Sequence, residues 1–269
     1  MHNLEFYNYL IAFSVTMVAG LSTGLGGLII YTQEKINSNY LATALGFSAG
    51  VMLYLSLVEI LPESRHSLKL YLGARIGLLI TTISFFTGML LIVLINRFIP
   101  HPDYFHIDTS SLAPEYSEKE AVKLYRAGIL TLVAIAIHNF PEGIVTFIGS
   151  LHNPSLGIKL AIAIAIHNIP EGISVAIPIY YATNNKLKAV KVASLSGIAE
   201  PLGAIIGFLI FRNYINDFTF GIIFALIAGI MTYISIDELL PIAERYGEHK
   251  FVVRGLLSGM AVIALSLLI

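Results

Sequence analysis

The hexapeptide His-Asn-X-Pro-Glu-Gly occurs twice, as His138–Gly143 and His167–Gly172, each inside a long apolar stretch. Imidazole, carboxamide and carboxylate all bind metal ions. An ionisable group in hydrocarbon is costly enough to mark a functional site by default. On a helix, positions four apart share a face and positions three apart nearly do. His138 and Glu142 therefore project together, with Asn139 alongside, and His167, Glu171 and Asn168 repeat the arrangement. Pro141 and Pro170 lack an amide hydrogen, so the carbonyls of Ile137 and Ile166 lose their helical partner. A broken helix at membrane depth is tolerated where it lines a polar cavity. Gly143 and Gly172 let a second helix, or an ion, approach closely. A further carboxylate, Glu200, stands in Ala-Glu-Pro-Leu-Gly, again followed by a proline, and reads as a ligand or a bridge between two ions. Two histidines and two or more carboxylates are too expensive for a polar knot that merely holds helices together.

Ligand type restricts the ion. Imidazole suits zinc and iron, and carboxylate adds affinity for manganese. Calcium or magnesium would call for an all-oxygen cage. The chain has no cysteine, which excludes disulfides, thiolate metal sites and thiol catalysis. The donor set suits reversible binding of zinc, iron(II), manganese, cobalt or cadmium, without ranking them. The ions are then cargo, and no catalytic cofactor is implied. An intramembrane metalloenzyme is the alternative, since such a site can also activate water. Against it, no HExxH is present and no carboxylate is left over as an evident general base.

These residues need a membrane around them, and the composition supplies it. The chain is 56% hydrophobic and 12% charged, with a mean hydropathy of +0.79. About 20 apolar residues cross the hydrocarbon core as a helix. Eight such runs occur, near Tyr7–Ile30, Leu41–Leu61, Gly73–Ile95, Tyr125–Ser150, Leu156–Tyr181, Val190–Phe211, Phe218–Ile242 and Phe251–Ile269. They leave no room for a soluble catalytic domain, so residues 1–269 read as one all-α transmembrane domain. The net charge of −1 gives no sign of nucleic-acid binding. Basic residues favour cytoplasmic loops. Eleven Lys and Arg go with the odd-numbered loops against five with the even ones, placing both termini outside a cell (plasma or inner) membrane.

An internal repeat orders the spans. Ala49–Glu63 and Ala228–Ile242 agree at eight of fifteen positions, including Met52/Met231, Tyr54/Tyr233, Glu59/Glu238 and Pro62/Pro241. Ala134–Ile144 and Ala163–Ile173 agree at ten of eleven. In both cases an even span matches an odd one, so the repeats are inverted. Spans 1–3 and 6–8 are thus related about a central pair, spans 4 and 5, an architecture expected of alternating-access transporters. Glu59 and Glu63 close span 2 while Asp237 and Glu238 close span 7, either as ion-recruiting mouths or as interfacial polar residues. Gly255 and Gly259 form a small-xxx-small pair compatible with helix packing or a homodimer.

With the doubled motif, eight spans and Glu200 in place, the chain resembles the ZIP family of divalent metal transporters, most closely its bacterial branch, over nearly its whole length. The resemblance implies uptake of metal into the cytoplasm through a site near the bilayer midplane, often holding two ions. It implies that His138, Glu142, His167 and Glu171 face one ion. Asn139, Asn168 and Glu200 would join Glu142 and Glu171 around a second. Some relatives add a side chain from span 2, for which Met52 is the candidate. Many also carry a histidine-rich loop between spans 3 and 4. Here that cytoplasmic loop, about residues 96–124, has only His101 and His106 among several acidic residues, and reads as a solvated linker.

Overall fold

The computed structural model describes residues 6–32, 37–98, 118–214 and 216–267. Among these, eight helices are long and apolar enough to cross a membrane: α1 Phe6–Thr32, α2 Ser38–Leu72, α3 Ala74–Asn96, α4 Ala121–His152, α5 Pro154–Thr183, α6 Lys186–Phe211, α7 Asp217–Tyr246 and α8 His249–Ser266. The segment with His101, His106, Asp103, Asp108 and Glu115 lies outside the described residues. Helical structure ahead of α4 already begins at Glu118, so the connection is shorter than the loss of apolar character suggests.

Several helices outrun their apolar runs. The α2 run stops at Leu61, yet the helix continues to Leu72. Hydropathy ends where Glu63, Arg65 and His66 begin, but nothing in those residues terminates a helix. Gly73 does, with φ at +81°, a conformation that only glycine adopts without steric cost. Asparagines open others: Asn37, Asn153, Asn185 and Asn216 each accept a backbone N–H of the first turn beyond them, satisfying a donor that has no intrahelical partner.

Prolines have two different outcomes. Around Pro141 and Pro170 the helices stay continuous, from Glu118 to His152 and from Pro154 to Thr183. The expected breaks at the doubled motif are therefore absent; losing one hydrogen bond does not stop a helix whose neighbours hold it on every side. Around Pro62 and Pro241 the backbone does respond, with a π-helical stretch at Leu55–Ile60 and another at Ser235–Leu239. Each proline leaves a carbonyl without its donor, and the register widens just before it. The amides of Leu61 and Leu240 bond five residues back, to Ser56 and Ser235. Those serines in turn donate to the carbonyls of Met52 and Met231, at 2.6 and 2.8 Å. Identical distortions at matching positions of α2 and α7 carry the sequence repeat into the backbone.

The packing repeats as well. In the middle, α4 lies on α5; α1 packs on α5 as α6 packs on α4; α8 packs on α2 as α3 packs on α7. Within its most apolar window α5 is 78% buried, against 22% for both α3 and α8. Of the doubled-motif pair α5 is thus the more enclosed, and α3 and α8 form the rim, where Leu79, Ile83, Phe86 and Leu90 make an exposed apolar stripe suited to lipid. Gly255 and Gly259 fit against the carbonyls of Thr43 and Phe47 on α2. That small-residue pair is spent on packing within the chain, so it gives no separate support to a homodimer.

Candidate metal site

All seven residues singled out from the sequence are buried: His138, Asn139, Glu142, His167, Asn168, Glu171 and Glu200. They come from the central pair and from α6, at a place where α4 meets α6 and α5 meets α1 at backbone distance. A Cβ at Gly143 would collide with the carbonyl of Glu200, and one at Gly172 with the carbonyl of Thr23 on α1. The Pro-Glu-Gly glycines therefore work as contact points for neighbouring helices. In α6 the helical pattern is interrupted at the single residue Ile198, which keeps helical backbone angles (φ −65°, ψ −20°), between Lys186–Gly197 and Ala199–Phe211. Pro201 accounts for it by leaving the carbonyl of Gly197 unpaired. Glu200 stands just beyond this interruption.

The side chains pair across helices and not along them. His138 Nε2 lies 2.9 Å from Glu238 on α7, and His167 Nε2 lies 3.1 Å from Glu142 on α4. The same-helix face predicted His138 beside Glu142. Both do face inward, but each imidazole reaches a carboxylate of another helix. Glu238, left between two readings by the sequence, is joined to the site, and Asn96 donates to its second oxygen at 2.7 Å. Ser48 on α2 donates to Glu171 at 3.3 Å. Asn168 donates to the carbonyl of Ala19 at 2.9 Å and also contacts Glu200. Asn139 donates to the carbonyl of Ser196 at 3.3 Å. Met52 is buried on α2 as a core side chain.

His167 Nδ1 faces the carbonyl of Ala163 at 3.2 Å, which fixes the proton on that nitrogen. Its Nε2 then meets a carboxylate oxygen, and two lone pairs in contact need a proton between them. A cation set at that point would do the same work. Among the described residues, no group of three or more His, Asp or Glu side chains is already gathered for an ion; the donors stand in proton-linked and hydrogen-bonded pairs.

What remains unpaired is informative. Seven buried side-chain atoms lack a hydrogen-bond partner among the described residues: Nδ1 of His138, Oδ1 of Asn139 and Asn168, Oε2 of Glu142, Glu171 and Glu200, and Oγ1 of Thr23. Six belong to residues found from the sequence. Stranding one polar group in a dry interior costs about 1–3 kcal/mol. Such a set of acceptors suits something electropositive. The sequence singles out Glu238 only as an ion-recruiting mouth or an interfacial residue, and Ser48 and Thr23 not at all. Ser48 and Thr23 are ordinary small residues in apolar helices, and only long-range packing brings them here.

The sequence model described as ZIP zinc transporter matches residues 105–267. A protein of Chlorobium chlorochromatii (strain CaD3) named zinc transporter ZupT is 50% identical over 263 residues, covering 97% of this chain and 98% of the relative. Proteins of the same name from Clostridium perfringens (strain 13 / Type A) and Streptococcus mutans serotype c (strain ATCC 700610 / UA159) are 48% and 47% identical, covering 97% and 96% of this chain and 96% and 97% of themselves. A match over more than half the chain, near-complete relatives and eight apolar helices carrying the paired motif lead to one assignment: the chain belongs to the ZIP family of zinc transporters.

Proposed function

We propose that the protein takes up divalent transition-metal ions, zinc together with iron(II), manganese, cobalt and cadmium, into the cytoplasm. Passage is through His138, Asn139, Glu142, His167, Asn168, Glu171 and Glu200, holding two ions in turn or together. The carrying observation is the set of buried, unpartnered donor atoms on six of these seven residues. Relatives of nearly full length bear the name zinc transporter, which supports zinc as one cargo. Membership of a transporter family removes the metalloenzyme alternative.

The chemistry of entry is an exchange. The His167–Glu142 and His138–Glu238 contacts each use a donor that an arriving cation needs. An ion entering displaces the shared protons, which are released to water, and draws imidazole and carboxylate around itself, because ligands must be deprotonated to bind. Three carboxylates with neutral carboxamides and imidazoles hold a divalent ion without the tight grip of thiolates.

Movement across the membrane is by alternating access of the two repeat halves about the α4–α5 pair. The inverted repeat supports this. So does an asymmetry: Glu238 holds His138, whereas His167, which its repeat partner Glu59 would hold by symmetry, turns to Glu142 instead. Two equivalent arrangements, only one of them taken, are what a two-state device requires. The termini lie outside, and inward movement is driven by gradients; a divalent ion crossing 100 mV, negative inside, gains about 4.6 kcal/mol. The test is uptake by proteoliposomes offered each of the five ions with and without a pH gradient. Accumulation of zinc is expected, and absence of accumulation for all five ions would refute the proposal.

A further inference from the structure

The pseudo-symmetry extends to α1 and α6, where sequence identity is slight, and it pairs Thr23 with Glu200. Aligning Gly20–Gly27 with Gly197–Ala204 puts glycine on glycine at Gly20/Gly197 and Gly26/Gly203 and leucine on Leu25/Leu202. The contacts follow the same alignment. Gly20 and Gly197 each abut the other's carbonyl. Gly172 abuts the carbonyl of Thr23 as Gly143 abuts that of Glu200, and Gly26 abuts Ile169 as Gly203 abuts Phe140. Asn168 donates to the carbonyl of Ala19 as Asn139 donates to that of Ser196.

The two halves differ at one place. On one side Asn168 also contacts the Glu200 carboxylate. On the other, Asn139 should meet Thr23, whose side chain is shorter and uncharged. There Asn139 Oδ1 and Thr23 Oγ1 are both buried and both unpartnered. Thr23 is fully buried, so water cannot freely compensate its hydroxyl. That hydroxyl lies against α6, within 3.1 Å of where a Cβ on Gly197 would stand.

We propose that Thr23 is an ion ligand, the α1 counterpart of Glu200, whose hydroxyl joins Asn139 Oδ1 as a neutral oxygen pair on the cation held by Asn168 and Glu200. Because it is neutral where Glu200 is charged, Thr23 sets the charge of this half of the site and its balance between oxygen-seeking and softer ions. The inference rests on the proposed transport site.

The test measures binding of manganese(II) and cadmium(II) to purified protein by titration. Thr23→Val, of the same shape without the hydroxyl, should weaken manganese about tenfold and cadmium less, and Thr23→Ser should restore both. Thr23→Cys gives a second reading, because the chain has no other cysteine. A ligand at this position would become a thiolate, invert the preference towards cadmium and produce a cadmium–thiolate absorption band. Wild-type affinities in Thr23→Val overturn the inference. So does equal loss for both ions in Thr23→Val and Thr23→Ser, or cadmium binding to Thr23→Cys without the absorption band. Glu142→Ala separates the two levels: if it binds metal as wild type does, the site itself is wrong, whereas its failure beside an unaffected Thr23→Val removes only the role of Thr23.

Discussion

His138 and Glu238 stand 2.9 Å apart although a hundred residues and two intervening helices separate them. The contact links α4, which carries the first copy of the motif, to the π-helical stretch of α7 that contains Glu238. A π-turn shifts the residues after it around the helix axis, and such turns recur at functional sites. Here it belongs to the segment that brings a residue near the end of an apolar run to the buried imidazole. Asn96 holds the other carboxylate oxygen from α3.

Glu238→Gln keeps the shape and removes the charge. Transport should fall about tenfold, with the protein still monodisperse in detergent. If His138 needs no carboxylate from α7, uptake by this variant will match the wild type.

The ring of carboxylates gives a graded expectation. Glu142→Ala and Glu171→Ala should each abolish uptake, because each carboxylate is proposed to serve both ions. Asn139→Ala or Asn168→Ala should impair it less or alter ion preference, since a carboxamide brings no charge. Wild-type uptake rates in Glu142→Ala would dismantle the shared site.

In the proposed site metal competes with protons for His138 and His167, whose ordinary pKa is about 6.5. Protonated imidazole and neutral carboxyl groups do not bind cations, so affinity should fall as pH drops below neutrality and rise as pH increases. Replacing both histidines with Gln should flatten the dependence between about pH 6 and 7, leave a carboxylate-driven loss at lower pH, and favour manganese over zinc. Titrations at several pH values decide it; an unchanged profile with unchanged zinc affinity would mean that neither histidine is a ligand.

Gly143→Ala and Gly172→Ala test the framework. Each adds a methyl group against a backbone carbonyl, of Glu200 and Thr23 respectively. Backbone cannot swing aside as a side chain can, and overpacking costs about 1–3 kcal/mol. Both should lower the thermal unfolding midpoint in detergent by similar amounts, because they are equivalent positions. A neutral substitution at either glycine would contradict the close packing.

The sequence alone determined the membrane, the eight helices and the inverted repeat, and it named the residues proposed to bind the ion. Each of these depends on local or strictly periodic information: apolar length against bilayer thickness, and expensive groups recurring at fixed spacing. It did not determine where the helices bend. Pro141 and Pro62 have the same missing amide, yet α4 stays continuous while α2 widens into a π-turn, because the response to a lost hydrogen bond depends on what surrounds it. Nor did it determine which partner each ligand meets. Spacing placed His138 with Glu142, but a side chain chooses among every acceptor within reach, and the reach of Glu238 exists only once α7 is packed on the bundle. Thr23 and Ser48 are the clearest cases. A hydroxyl in an apolar helix normally satisfies itself on its own backbone, as Thr16 does on the carbonyl of Ala12 at 2.8 Å. Only the approach of α1 and α2 to the central pair leaves Thr23 unpartnered and turns Ser48 towards Glu171, since burial and the loss of water are properties of the assembled bundle and not of any one helix.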